Sequence, residues 1–320
     1  MPVSSAGVPE LAAPAKIPLL VICGPTASGK TRIALELASG LPIEIISADS
    51  RQIYRGMDIG TAKATPEERA LVPHHLIDVV APDQSFSAAD FMTQGRAAIT
   101  AIHQRGKLAV VVGGTGLYID ALTRGLITAP GEDPELRLEL LELETLQGEG
   151  TLHQRLQIVD PVAAQRLKPR DQLRIIRALE VFALTGETLT ALQHRHAFAD
   201  SPYHLVTIGL EVERSTLYRR IDERAATMFS SGLIEEAQSL LAQGFSRELK
   251  ALRTIGYREA IAYLAGESSL AVAIEQTQQE SRRYAKRQMT WFRKNNSIIK
   301  VDSLAEFAKI KTIAKRLYAE

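Results

Sequence analysis

A single cysteine, Cys23, excludes a disulfide or a cysteine-based zinc site within one chain and suits a reducing cytosol. It sits inside an apolar run and reads as a small core residue. A surplus of one charge is missing as well. With 38 Lys and Arg against 37 Asp and Glu the formal net charge is +1, so a nucleic-acid partner would have to be met by basic side chains gathered on one surface. No apolar run approaches the length of a bilayer span, so no membrane partner is expected. Residues 1–15 lack the basic start and continuous apolar segment of a secretory signal and read as a disordered tail, which makes the expected location cytoplasmic. Beyond that tail there is no repeat or low-complexity tract. A hydrophobic fraction of 45% over 320 residues supports one large folded domain or two unequal ones.

The stretch with the clearest chemistry runs from Ile17 to Leu37: an apolar run ending at Cys23, then Gly24-Pro-Thr-Ala-Ser-Gly-Lys30-Thr31, then apolar Ile33, Ala34 and Leu37 on one helical face. It fits the phosphate-binding pattern G-x-x-x-x-G-K-[ST] in its required strand-to-helix context. Gly24 and Gly29 let successive backbone N–H groups turn inward, and the helix N-terminus adds its dipole to the same spot. Lys30 supplies a mobile charge, and the Thr31 hydroxyl is placed to ligate a Mg²⁺ that bridges phosphate oxygens. P-loops ordinarily hold nucleotides, ATP among them, but the loop alone does not identify its phosphate compound.

Ile43 to Ser47 reads as a second parallel strand, which puts Asp49 at the carboxyl edge of the sheet, where open α/β sheets bind ligands. There Asp49 can be a turn residue, a helix cap or a functional carboxylate. Tyr54 to Lys63 reads as a loop. His74 and His75 are adjacent and lack other close ligands, so hydrogen-bonded imidazoles fit better than a metal site. Phe86 to Gln104 has helical spacing, with Phe91, Ala98 and Ile102 inward. Leu108 to Val112 is a third strand, closed by Gly113-Gly-Thr-Gly-Leu-Tyr118 where many P-loop ATPases and kinases carry an acid. Those glycines serve a tight turn, a ligand contact, or both.

From Gly131 to about Asp200 the composition turns helical. Glu132 to Glu149 is acidic, with Leu136, Leu140 and Leu143 at amphipathic spacing, and Arg155 to Leu184 reads as helical and basic. The expected organisation is a P-loop α/β core, 17–130 and 201–320, with a parallel sheet flanked by helices and an inserted all-helical domain at 131–200. His204 to Leu210 and Ser297 to Val301 read as further strands. The helix after His204–Leu210 carries Arg219, Arg220 and Arg224. Ser281 to Lys294 holds several Lys and Arg and no acid, which suits cations facing phosphates or a merely solvated face.

In order, Gly24 to Thr31, Ser47-Ala-Asp-Ser-Arg-Gln52, Tyr54 to Lys63, His74-His-Leu-Ile-Asp78, Gly113 to Tyr118, Arg253-Thr-Ile-Gly-Tyr-Arg258 and Ala285-Lys-Arg-Gln-Met-Thr-Trp-Phe292 resemble the bacterial tRNA dimethylallyltransferases over roughly Ile17 to Val301. The departures are Ala64, where a proline is often found, and a longer tail. The resemblance implies transfer of a dimethylallyl group from dimethylallyl diphosphate to the exocyclic N6 amine of the adenine 3′ to the anticodon, releasing diphosphate. It implies that Gly24, Pro25, Thr26, Ala27, Ser28, Gly29, Lys30 and Thr31 hold the diphosphate with Mg²⁺, which explains the missing acid, since no water is aimed at a γ-phosphate. Asp49 would be the general base, aided by Lys30 and Thr31 at the leaving group. Contacts to the tRNA anticodon stem-loop would come from Asp49, Ser50, Arg51, Gln52, Thr115 and Arg137. Further contacts would come from Leu173, Arg174, Ile175, Ile176 and Arg177, and from Arg253, Thr254, Ile255, Gly256, Tyr257 and Arg258. The last set is Ser281, Arg282, Arg283, Tyr284, Ala285, Lys286, Arg287 and Gln288. A monomer is the expected state, and which of Arg219, Arg220 and Arg224 meets the diphosphate stays open.

Three rivals remain at this level. A transferase for free adenine nucleotides would share the P-loop and Asp49 but has less need of the inserted helices. A small-molecule kinase would need the absent acid. A tRNA-binding module with a vestigial loop would not need Lys30, Thr31 and Asp49 together.

Overall fold

A computed structural model describes residues 16–196, 202–302 and 305–319. Its strands are β1 (Ile17–Cys23), β2 (Ile43–Ala48), β3 (His74–His75), β4 (Leu108–Gly113), β5 (Tyr203–Glu211) and β6 (Ile299–Asp302). They pair in parallel in the order β3-β2-β4-β1-β5-β6. β1, β2 and β4 are short, mostly apolar runs whose interiors are buried on both faces, the signature of central parallel strands. Their carboxyl ends are level: Gly113 pairs with Cys23 on one side and Ala48 on the other. β3 has no signal in the sequence because it is two residues long; its place comes from pairing with Ile45 and Ile46.

The helices are α1 (Lys30–Ala38), α2 (Pro66–Leu71), α3 (Ala88–Gln104), α4 (Gly116–Arg124), α5 (Pro134–Gln147), α6 (Thr151–Val159), α7 (Pro161–Arg166), α8 (Gln172–Thr185), α9 (Leu189–His196), α10 (Arg214–Ser230), α11 (Leu233–Ala242), α12 (Tyr257–Leu264), α13 (Leu270–Phe292) and α14 (Phe307–Tyr318). Two apolar clusters sandwich the sheet. One joins Leu20 and Ile22 to Ile33 and Leu37 of α1 and Ile310 and Leu317 of α14; the other joins Leu19 and Val21 to Phe91 and Ile99 of α3 and Leu122 of α4. In α3 the inward stripe is Phe91, Gly95, Ile99 and Ile102, with Ala98 only partly buried at its margin. A third cluster gathers Met57, Phe229, Leu233 and Tyr257 among α10, α11, α12 and α13.

The described residues form two compact units, divided at Thr123 and Arg124 and again between His196 and Pro202. The helical unit packs around Leu140, Leu152, Leu156, Ile175, Ile176 and Leu179. The single helical stretch expected from Arg155 to Leu184 is three helices, because Pro161 starts a new one at Asp160, whose carboxylate accepts from Ala163 N–H, and Pro169 precedes the next. Among the described residues no helix is long and apolar enough to cross a membrane.

Candidate active site

Three neighbouring strand ends build the site. β1 runs into the phosphate loop, where Ala27 (φ 61°) and Gly29 (φ 91°) adopt left-handed backbone and α1 begins at Lys30. Lys30 Nζ donates to the carbonyls of Gly24 at 2.9 Å and Pro25 at 2.7 Å. Burial pushes its ammonium down to about 8; Asp49 opposes that shift and Arg224 adds to it. Ser28 Oγ is buried without a hydrogen-bond partner, and Thr31 is exposed on the first turn of α1.

β2 delivers Asp49, whose Oδ1 accepts the Arg51 N–H at 2.8 Å. Asp49 is thus a turn residue, and it also lines the cleft. Thr115 Oγ1 accepts the Ser50 N–H at 3.1 Å, while Thr115 N–H donates to Ala48 O at 3.1 Å, so the end of β2 is held by the turn after β4.

That turn explains its glycines by close approach. A Cβ on Gly113 would stand 2.1 Å from Ala48 O, one on Gly114 2.1 Å from Gln288 Nε2, and one on Gly116 2.3 Å from the Trp291 ring. The space is taken by the neighbouring strand and by α13.

Asp49 and Thr26 line one cleft of about 390 Å³ with a face of α10. Ile221, Ala225 and Met228 form an apolar wall, and Arg224, one turn from Ile221 on the same face, reaches Thr26 Oγ1 with Nη1 at 3.3 Å. Arg219 is exposed beside Glu223 at 4.0 Å and does not line the cleft. Of the three arginines left open, Arg224 is the one that lines the cleft. A helical wheel carries the signal: Leu217, Ile221, Ala225 and Phe229 are the buried stripe, and of the three only Arg224 adjoins it on the side of Met228. Tyr284 of α13 also lines the cleft, its hydroxyl pushed up to about 12 by burial and by Asp49, with Thr115 opposing.

The other expected contact residues divide by burial. Arg51, Arg253, Thr254, Ile255, Arg258, Ser281 and Arg287 line the same cleft, and Lys286 is exposed on α13. Arg282 pairs with Asp222 and Arg283 with Glu280, so part of the cationic charge of α13 is matched by acids nearby. Gly256, Tyr257, Ala285 and Gln288 are buried, and Gln52 is turned inward, accepting from Ser47 Oγ at 2.8 Å and donating to the Thr61 and Ala62 carbonyls. Those side chains support the site from within. In the helical unit Leu173 and Arg174 are exposed, whereas Ile175 and Ile176 belong to its core. Arg137 and Arg177 both hold the buried Glu180, the former at 2.7 and 3.0 Å, the latter at 2.5 Å. Burial raises that carboxyl, but Arg137, the Asp133 N–H and Arg177 outweigh it and hold it at about 2.

Sequence reading missed two supports of the cleft wall. Glu236 accepts the N–H groups of Asp58, Ile59 and Gly60 at 2.9 to 3.3 Å and the Tyr257 hydroxyl at 2.5 Å. Lys63 is buried and donates to Asp58, Asp78 and the Tyr54 carbonyl, each at 2.6 Å. His75 Nε2 lies 2.7 Å from Glu44 and His74 Nδ1 2.8 Å from Val72 O. Among the described residues no group of three or more His, Cys, Asp or Glu could hold a metal ion. The Thr31 hydroxyl is exposed on the first turn of α1 at the loop.

The family model for IPP transferases matches residues 52–295. The tRNA dimethylallyltransferase 1 of Syntrophotalea carbinolica is 55% identical, the alignment covering 94% of this chain and 96% of that protein. The tRNA dimethylallyltransferase of Geobacter sulfurreducens is 52% identical over 95% and 97%. Among solved structures, the full-length tRNA isopentenylpyrophosphate transferase of Bacillus halodurans superposes with a TM-score of 0.70 at 42% identity, covering 95% of this chain and 97% of that one. A eukaryotic dimethylallyltransferase acting on tRNA gives 0.78 at 26% identity, covering 93% and 76%.

Proposed function

The chain belongs to the IPP transferase family, and from that premise we propose that it is a tRNA dimethylallyltransferase. It moves the dimethylallyl group of dimethylallyl diphosphate to the N6 amine of the adenine 3′ to the anticodon and releases diphosphate. The observation that carries this reading is the cleft itself: Asp49, the phosphate loop at Thr26, Arg224 and the apolar Ile221–Ala225–Met228 wall share one space. A prenyl diphosphate has an apolar tail and a polyanionic head, and the cleft offers a surface for each.

The amine lone pair is delocalised into the adenine ring, so the amine is a weak nucleophile. Asp49 accepts a hydrogen bond from the amine and takes its proton as the nitrogen bonds to the allylic carbon. Oδ1 accepts from the Arg51 N–H, which fixes the carboxylate for that contact. The carbon–oxygen bond to the diphosphate breaks, and the negative charge growing on the leaving group is met by loop N–H groups, Lys30 and Arg224. Lys30 leaves its resting carbonyl partners to do so. Mg²⁺, held by the diphosphate and Thr31, would add Lewis-acid stabilisation of the same charge. The adenine has to leave its stack to reach the cleft, at a cost of a few kcal/mol that contacts to the rest of the tRNA offset. Arg287 at the cleft and Lys286 on α13 supply cations for those contacts, joined by Arg253 and Arg258, which in this structure pair with Glu248 and Glu259.

The test is to offer dimethylallyl diphosphate with unmodified tRNA and, separately, with AMP. Prenylated tRNA and unchanged AMP are expected. Prenylated AMP with untouched tRNA would overturn the reading in favour of the free-nucleotide enzyme.

A further inference from the structure

Gln288 is the one side chain of α13 that ties the phosphate loop to the turn after β4. Its Oε1 accepts the Thr26 N–H at 2.9 Å and its Nε2 donates to Gly114 O at 3.0 Å. It is 7% exposed, so both bonds lie where water does not compete well. The seat is built for it. Gly114 has no room for a Cβ because Gln288 Nε2 would lie 2.1 Å away, and one turn along the helix the Trp291 ring occupies the corresponding space over Gly116. Ala285, one turn in the other direction, is fully buried against α10 in the cluster of Leu217 and Ile221. Thr26 is also the residue whose hydroxyl meets Arg224 at 3.3 Å. One peptide unit therefore links the helix, the loop and the cation opposite it.

We propose that Gln288 is a positioning residue of the diphosphate site, holding the Thr26 peptide so that the rest of the loop and Arg224 present fixed donors to the diphosphate. This rests on the placement of the diphosphate in the loop given above. The Thr26 N–H is itself engaged by Gln288 and so is a strut, while the donors that meet the diphosphate come from later in the loop. Family resemblance counts Gln288 among the tRNA contacts. Its two polar ends are instead both used inside the fold, and the tRNA role of α13 falls to its exposed cations. A displaced loop weakens diphosphate binding through geometry alone, since donors moved off hydrogen-bonding distance and angle lose their charge-assisted bonds to the anion.

The test uses the full chain and inorganic pyrophosphate as the probe, by calorimetry, beside steady-state kinetics and tRNA binding. Gln288→Met keeps the volume and removes both hydrogen bonds. It should raise the Kd for pyrophosphate and the KM for dimethylallyl diphosphate by roughly tenfold, with kcat at saturating donor less affected and the tRNA Kd within about twofold of wild type. Gln288→Glu supplies a second, independent readout. When neutral, its carboxyl can accept from Thr26 and donate to Gly114 as the amide does; when ionised it can only accept, and it faces the Gly114 carbonyl. Its pyrophosphate affinity relative to wild type should therefore recover as pH falls and worsen as pH rises. That profile decides the matter even if Gln288→Met fails to fold. Wild-type pyrophosphate affinity in a folded Gln288→Met, a pH-independent ratio for Gln288→Glu, or a loss confined to tRNA binding would each overturn the proposal. Failure of the wild type to bind pyrophosphate would instead overturn the diphosphate reading on which it rests.

Discussion

The turns that follow β1 and β4 stand side by side at the same edge of the sheet, and both are rich in glycine, yet their glycines answer different demands. In the phosphate loop Gly29 is needed for its backbone: φ is 91°, and an added Cβ would meet no atom within 4 Å. In the β4 turn the demand is for space, because a Cβ on Gly114 or Gly116 would come within 2.1 or 2.3 Å of Gln288 or Trp291. One turn is shaped by its left-handed dihedrals to turn N–H groups inward; the other is shaped to let a helix touch the backbone. Between them they hold Asp49 and the phosphate loop at the two ends of a three-strand row, about 10 Å apart by strand spacing. A glycine-rich strand end is thus not by itself evidence of a ligand.

The comparison breaks first at Asp49, the third strand end. If the β4 turn only supports the carboxylate, chemistry belongs to Asp49, and Asp49→Asn should slow single-turnover prenyl transfer on the order of 10²–10⁴-fold with pyrophosphate and tRNA binding retained. Turnover within a few-fold of wild type would remove Asp49 as the base.

At the phosphate loop, Lys30→Ala should cost about 10²–10³ in turnover, the range for a lost donor to developing charge, with tRNA affinity unchanged in filter binding. The same residue gives the loop a pH signature. Its folded-state value is pushed down to about 8, so in the free enzyme it is cationic below that pH and neutral above it. kcat/KM for dimethylallyl diphosphate should therefore fall as pH rises through about 8, and that descending limb should vanish in Lys30→Ala. The direction follows from the charge: the cation binds the polyanion, and the neutral amine does not. A profile identical in both proteins would detach Lys30 from the donor site.

Much of this edge was legible in the sequence, and the parts that were not share a cause. The phosphate loop and Asp49 announce themselves because their chemistry lies in consecutive residues and in the period of the flanking strands. Gly113 to Gly116 left two readings open, since sequence shows that side chains are absent but not what fills the space. Trp291 and Gln288 fill it, more than 170 residues further on. Arg224 was one of three arginines until the stripe of α10 picked it out. Arg137 and Arg177, which the family resemblance counts among the tRNA contacts, also hold Glu180, a partnership that spacing in the sequence does not reveal. β3 owes its existence to its neighbour, and no two-residue stretch could forecast it.

A smaller effect tests the space argument directly. Gly116→Ala should lose about 1–3 kcal/mol of stability in denaturant unfolding, the usual cost of forcing a group into a packed site. Part of that loss should return in Gly116→Ala with Trp291→Leu, because trimming the indole removes the atoms that a Cβ would strike. A coupling of about 0.5–3 kcal/mol is expected between neighbours of this kind.

The smallest effect, and the sharpest on the contrast between the turns, is the coupling that should be missing. Gly29→Ala places a methyl where no protein atom is within 4 Å, so its cost is the left-handed backbone alone, about 1–2 kcal/mol. Ala27 already tolerates φ of 61° two residues earlier, so the loop can carry such a residue without unfolding. Combined with Trp291→Leu, the two losses should add to within about 0.5 kcal/mol, since a Cβ at Gly29 would touch neither the indole nor any other atom within 4 Å. Urea unfolding of the two single variants and the double variant measures it. Additivity at Gly29 together with strong coupling at Gly116 would show that one glycine is kept for its dihedral and the other for its missing side chain. Equal coupling at both positions would mean that α13 presses on the phosphate loop as hard as on the β4 turn, and the division of labour between the two turns would fail.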